Sequence, residues 1–127
     1  MNGSEERGLE MLRRMLGDER AREVRESWTQ LSPDFARYVT NFLAGEVWAR
    51  PNLDLKTRSL ITVSALAALG RTSALRLNIE MALNNGATHA EILETLLQMA
   101  PYAGFPACWD ALLVADEVFK QREGKKA

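Results

Sequence analysis

Hydrophobic positions along this chain recur at helical spacing, and the punctuation between them is helical as well. Leu9, Leu12 and Leu16 stand three and four residues apart, which predicts a first helix from about Glu5 to Leu16. Gly17 fits the position just past its end, and Asp18 is placed to cap a short second helix to about Trp28. Ser32-Pro33 is a start signal, an N-cap followed by proline in the first turn. Phe35, Tyr38, Val39, Phe42 and Leu43 then predict an apolar face on a third helix up to about Trp48. Arg50-Pro51-Asn52-Leu53 reads as a loop, and Asp54 as the cap of a fourth helix. That helix is apolar nearly all round from Leu60 to Leu69, which places it in a core or under another subunit. Gly70 ends it. Ser73 is placed to cap a fifth helix to Asn85, ended by Gly86. Thr88 to Glu91 has the pattern of a capping box, in which a hydroxyl and a carboxylate each satisfy an exposed amide. The sixth helix should run toward Met99, where Pro101, lacking an amide hydrogen, kinks or ends it. Pro106 opens a last helix carrying Trp109, Leu112, Leu113, Val114 and Phe119, and Gln121 to Ala127 should fray. No segment alternates as a strand. The fold class is therefore all-α, with about seven helices in one domain.

Composition narrows the function without naming it. Of 127 residues, 46% are hydrophobic and 26% charged, as in ordinary globular proteins. Sixteen basic and 17 acidic residues leave a net charge of −1, which gives no reason to expect nucleic acid or an anionic membrane as a partner. No apolar run approaches the roughly 18 residues of a spanning helix, and Met1 to Glu6 has no signal-peptide core, so a cytoplasmic location is expected. Cys108 is the sole cysteine, which rules out an internal disulfide and a CxxC pair; a small core residue is the expected role. His89 is the sole histidine, so no His-ligated metal site is expected. A helix apolar on every side needs more cover than a small chain easily supplies, which predicts an oligomer.

Several blocks point further when taken in order. They are Arg13-Arg14-Met15-Leu16-Gly17-Asp18, then Gly45-Glu46-Val47-Trp48-Ala49-Arg50-Pro51, then Leu53 to Leu60. Ala65-Leu66-Ala67-Ala68-Leu69-Gly70, Arg76 to Gly86 and Tyr102-Ala103-Gly104-Phe105-Pro106 complete the set. This arrangement resembles the carboxymuconolactone decarboxylase family, within the wider alkylhydroperoxidase-D-like group. The resemblance covers nearly the whole chain, residues 1–127, with a core at about 33–120. It implies a homo-trimer or homo-hexamer. The peroxidase-like branch uses a CxxC pair with a histidine four residues later. Those three positions are Arg71, Ala74 and Asn78 here, so thiol peroxide reduction on that pattern is excluded. The decarboxylase branch lacks the cysteines and usually keeps the histidine, which is Asn78 in this chain.

The implied substrate is a small carboxylated lactone, decarboxylated without metal or organic cofactor. Loss of CO2 leaves electron density spread through the unsaturated ring. A protein must then hold carboxylates, stabilise the developing charge and deliver a proton to carbon. Arg50, Arg58 and Arg76 are candidates for the carboxylates, because a guanidinium offers two parallel donors; surface or intersubunit ion pairs are the competing role. Glu46 is the candidate proton donor, at a position where family members carry an acid; enclosure in an apolar pocket would raise its pKa, and pairing with Arg50 is the alternative. Asn78 can orient a substrate carbonyl or a water but cannot shuttle a proton. Tyr102 is a candidate ligand contact through its hydroxyl. His89, Glu91 and Glu94 are better explained as helix-end or solvated groups. Two other readings stay open: another lyase, isomerase or tailoring reaction on a cyclic or aromatic acid, and a non-catalytic oligomeric binding protein.

Overall fold

A computed structural model describes residues 3–126, and the chain is all-α over that range. Seven α-helices occur among the described residues: α1 (Gly3–Leu16), α2 (Asp18–Leu31), α3 (Pro33–Tyr38), α4 (Leu55–Leu69), α5 (Thr72–Asn84), α6 (His89–Ala103) and α7 (Phe105–Lys126). A π-helical segment, Val39–Trp48, continues α3 directly. The chain divides into two compact units, residues 1–54 and 55–127. Among the described residues, no helix is long and apolar enough to cross a membrane.

In the first unit, α1 packs on the π-helical segment. The approach is backbone to backbone. A Cβ added at Gly8 would collide with the Thr40 carbonyl oxygen, and one added at Gly45 with the carbonyl oxygen of Ser4. Small or slim residues make this possible: the inward positions are Ala36, Thr40, Ala44 and Gly45, closed off by Trp48. The expected apolar face is turned outward instead, with Phe35, Tyr38, Phe42 and Leu43 all exposed. Phe42 and Leu43 lie in the π register, whose i→i+5 hydrogen bonds widen each turn, so a 3.6-residue reading misassigns their faces; Phe35 and Tyr38 precede it, on α3.

Caps at this end of the chain are mixed. Ser32 accepts a hydrogen bond from the Phe35 amide at 3.1 Å, as its sequence signal predicts. Asp18 is the first residue of α2 and does not cap it; Gly17 holds the N-cap position with φ of 83° and no side-chain bond. α2 also runs three residues past the expected Trp28.

In the second unit, α4 to α7 enclose one aliphatic cluster built on Val63, Leu75, Ile79, Ile92 and Leu96, with Cys108 buried beside them. α4 buries only Ser59, Val63 and Ala67, leaving Ile61 and Leu69 more than half exposed. Gly70 and Gly86 end their helices in the same way. Arg71 N–H donates to the Leu66 carbonyl and Gly70 N–H to that of Ala67; Ala87 N–H donates to Ala82 and Gly86 N–H to Leu83. These paired bonds form the Schellman motif, which requires the positive φ that glycine tolerates, here 71° and 102°.

Ser73 does not cap α5, which begins at Thr72 after Arg71 without a side-chain bond. The capping box at Thr88 and Glu91 forms as predicted, with bonds of 2.9 and 3.0 Å. Pro101 does not end α6. It lies in the last turn, and the helix continues to Ala103 before Gly104. α7 starts at Phe105 and remains helical through the expected frayed tail to Lys126; Ala127 lies outside the described residues. Its inward residues are Cys108, Ala111, Val114, Ala115 and Val118, whereas Trp109 and Leu113 are exposed.

Candidate functional site

The sequence-chosen residues fall in both units: Glu46 and Arg50 in the first, Arg58, Arg76, Asn78 and Tyr102 in the second. In the first unit the π-helical segment carries Glu46 near its C-terminal end. The Glu46 carboxylate is exposed and is not enclosed by apolar side chains. Its Oε2 accepts a hydrogen bond from the Ser4 hydroxyl at 3.0 Å. Ser4 Oγ in turn accepts from Arg7 Nη2 at 3.3 Å, and Arg7 Nε donates to the Gly45 carbonyl at 3.1 Å. A short relay therefore leads from a guanidinium through one hydroxyl to the carboxylate, and the guanidinium is anchored beside Glu46 by the backbone of Gly45.

The close approach of α1 to the segment is what brings Ser4 and Arg7 to Glu46. Ser4 and Arg7 were not singled out in the sequence. They lie one turn apart on α1, but nothing local couples them to a residue about forty positions away. Arg50 follows the segment, exposed, with its amide donating to the Val47 carbonyl at 3.2 Å.

In the second unit Arg58 lies in the first turn of α4, half-buried, and its carbonyl accepts from the Thr62 hydroxyl at 2.8 Å. Arg76, on α5, has the competing role weighed for it: Nη2 meets Glu117 Oε2 of α7 at 2.6 Å, with both side chains about half exposed. Asn78 turns its amide nitrogen back onto the Ala74 carbonyl of its own helix at 2.8 Å. A carbonyl can only accept, so the NH2 group faces it and Oδ1 is directed away from the helix backbone. Asn78 thus presents an acceptor and one remaining N–H. Tyr102, in the last turn of α6, is 85% exposed.

Of the residues discounted in the sequence, His89 and Glu91 have structural partners. His89 is exposed at the start of α6 and stacks on Phe119, with ring centroids 3.8 Å apart. Glu91 serves the capping box and also meets Lys56 Nζ at 2.7 Å. The Lys56 contact and the Thr88 amide hold its carboxyl below the usual glutamate value. Glu94 is exposed. No cluster of three or more potential metal ligands occurs among the described residues.

Comparison with known proteins adds what geometry alone does not. Residues 33–117 match the model of the carboxymuconolactone decarboxylase family. The chain is 41% identical over 113 residues to a 4-carboxymuconolactone decarboxylase of Acinetobacter baylyi, covering 89% of this chain and 84% of that protein. It is 31% identical over 118 residues to a nitrosuccinic acid decarboxylase of Metarhizium robertsii, covering 93% and 82%. An uncharacterised 15.0 kDa protein of Paracoccus denitrificans is 38% identical over 96 residues, covering 74% and 72%.

Proposed function

The chain belongs to the carboxymuconolactone decarboxylase family, and from that premise we propose that it is a cofactor-independent carboxy-lyase acting on a small carboxylated acid, with 4-carboxymuconolactone the first candidate. The 41% identity to a decarboxylase of that lactone, across nearly the whole chain, carries this reading. The two named substrates share a chemical demand. CO2 loss from a carboxylated unsaturated lactone leaves an electron pair that spreads to a carbonyl oxygen, and loss from a nitro-substituted carboxylate leaves one that spreads to nitro oxygens. In both, donors must meet developing oxyanion charge and an acid must protonate carbon.

Arg50 and Arg58 supply the guanidinium donors in this proposal. Arg76 can join them only by giving up Glu117. Asn78 offers its remaining N–H to a substrate oxygen or its Oδ1 to a water. Glu46 is the proton carrier. The Ser4 hydroxyl fixes one carboxylate oxygen, leaving Oε1 to exchange the proton. Asn78 standing where relatives of this kind usually carry histidine throws that duty onto Glu46.

The test is CO2 release from 4-carboxymuconolactone by the purified protein, with Asn78→His and Glu46→Gln in parallel. Turnover is expected from the unmodified chain, with a loss of about 10²–10⁴-fold in kcat for Glu46→Gln. Absence of turnover together with absence of saturable analogue binding would overturn the reading. Turnover by Asn78→His alone would assign the present chain to another acid. That second reading has support in the similarity to a nitrosuccinic acid decarboxylase, and a panel of carboxylated nitro and keto acids separates the two.

A homo-trimer or homo-hexamer belongs to the same proposal. Leu97, Tyr102, Phe105, Trp109 and Leu113 on α6 and α7 are each more than half exposed, an apolar load uncommon on a lone subunit. Light scattering should give three or six chain masses, and Trp109→Glu should lower that number.

A further inference from the structure

Arg58 lies in the first turn of α4, where a helix frays most readily because its leading amides have no acceptor within the helix. Two side-chain contacts from elsewhere in the second unit hold this turn. Asn85 Nδ2 donates to Ser59 Oγ at 2.9 Å. Lys56 Nζ meets Glu91 Oε2 at 2.7 Å. Both partners belong to the connection between α5 and α6: Asn85 is the C-cap of α5, and Glu91 is part of the capping box that starts α6. Backbone bonds fix that connection in turn. Asn85 N–H donates to the Met81 carbonyl at 2.8 Å, and Ala87 N–H to that of Ala82 at 2.9 Å.

The Ser59 contact carries more weight than the Lys56 pair, which is partly exposed and therefore weak. Ser59 is 1% exposed and heads the inward stripe of α4, followed by Val63 and Ala67 at four-residue spacing. Alanine or valine there would meet the aliphatic cluster with no polar atom to satisfy. A buried hydroxyl costs free energy unless it is hydrogen-bonded, and the Asn85 amide supplies that bond. The pair thus adds little net stability over an apolar residue. What it adds is direction, because a satisfied buried polar contact specifies one arrangement of the elements it joins. The element specified is the turn that carries Arg58. Arg58 immediately precedes Ser59, and its own carbonyl accepts from the Thr62 hydroxyl at 2.8 Å.

We propose that Asn85, acting through Ser59, is a positioning residue for Arg58. It fixes the first turn of α4 against the α5–α6 connection and so sets where the Arg58 guanidinium meets a substrate carboxylate. The proposal deepens the decarboxylase reading and rests on it for the substrate, whereas the placing of Arg58 by Asn85 can be read without any turnover.

Proton–nitrogen NMR of the arginine Nε–Hε groups gives that reading, with the Arg58 signal assigned by its loss in Arg58→Lys. Asn85→Ala and Ser59→Ala should each shift the Arg58 signal, and the double variant should shift it no further than either alone. Ser59→Ala keeps the fold, because alanine fits a buried helical position and favours the helix. Asn84→Ala is the control. Asn84 ends the same helix and accepts from Arg122 Nη1 at 3.0 Å, so its loss loosens the end of α5 without touching Ser59. That variant should leave the Arg58 signal in place. Kinetics with 4-carboxymuconolactone supply the second readout. Asn85→Ala should raise KM about three- to tenfold, part of what one charge-assisted bond contributes, while kcat changes by less than about twofold. In an Arg58→Ala background the same substitution should raise KM no further. An Arg58 signal unmoved by both variants, an equal shift in Asn84→Ala, or a further KM rise without Arg58 would each overturn the proposal. No turnover by the unmodified chain, with the Arg58 signal still shifted by both variants, would overturn the lactone as substrate and support the placing of Arg58.

Discussion

Leu75, Ile79, Ile92 and Leu96 fill the centre of the second unit with side chains that are entirely buried, whereas α1 and the π-helical segment of the first unit meet through glycine backbone. Aliphatic side chains interdigitate and leave little unfilled. Two helices brought together at Gly8 and Gly45 cannot do this, because there is no side chain at the contact to fill what lies beside it. The Thr40 hydroxyl is left without a partner, and Ser4 is held within reach of Glu46. The first unit thus joins a backbone-to-backbone helix contact to an unsatisfied hydroxyl, where the second closes on aliphatic side chains.

The largest test of this contrast is Leu96→Ala. Removing a fully buried leucine from a packed aliphatic core should cost about 2–5 kcal/mol, the spread reflecting how far the site can collapse. Urea unfolding measures it, and a cost below about 1 kcal/mol would mean that the second unit is not closely packed. Gly8→Ala probes the first unit from the opposite side. Helix propensity alone would make alanine better by about 1 kcal/mol. The collision with the Thr40 carbonyl should reverse that sign and leave a net loss of about 1–3 kcal/mol. A stabilised Gly8→Ala would show that α1 does not sit on the segment at backbone distance. The Ser4–Glu46 bond should weaken in the same variant, because it depends on that distance.

These two positions also show what the sequence could reveal. Gly70, Gly86, Ser32 and the Thr88–Glu91 box act through residues within five positions of one another, and each was legible as a local signal. The helix number and the all-α class follow from such signals. The outward turn of Phe42 and Leu43 was not legible, because a π register has no signature in a pattern read at 3.6 residues per turn. Pro101, expected to kink or end α6, does not end it: it lies in the last turn, and the helix continues to Ala103. Among the candidate residues, the Arg76 ion pair was foreseen as an alternative, but its partner, Glu117, lies 41 residues away and on another helix. Ser4 and Arg7 became visible only through contacts distant in sequence.

The smaller effects concern the start of α6. Thr88→Ala removes the hydroxyl that receives the Glu91 amide and should cost about 1 kcal/mol, measurable by urea unfolding. Glu91→Gln is gentler still, because glutamine can keep the capping bond while losing the charge that meets Lys56. Lys56 and the Thr88 amide hold the Glu91 carboxyl below its ordinary value of 4.5. The folded state therefore binds this proton less readily than the unfolded chain. The charge contributes its full stabilisation above the ordinary value, and the contribution fades as pH falls through 4.5 toward the lower folded value. Thermal unfolding of the native chain and of Glu91→Gln, compared from neutral pH downward, should show the native chain more stable at the start and the gap closing through that window. A gap that stays constant with pH would mean that the Lys56–Glu91 pair adds nothing to the cap, and that hydrogen bonding alone starts this helix.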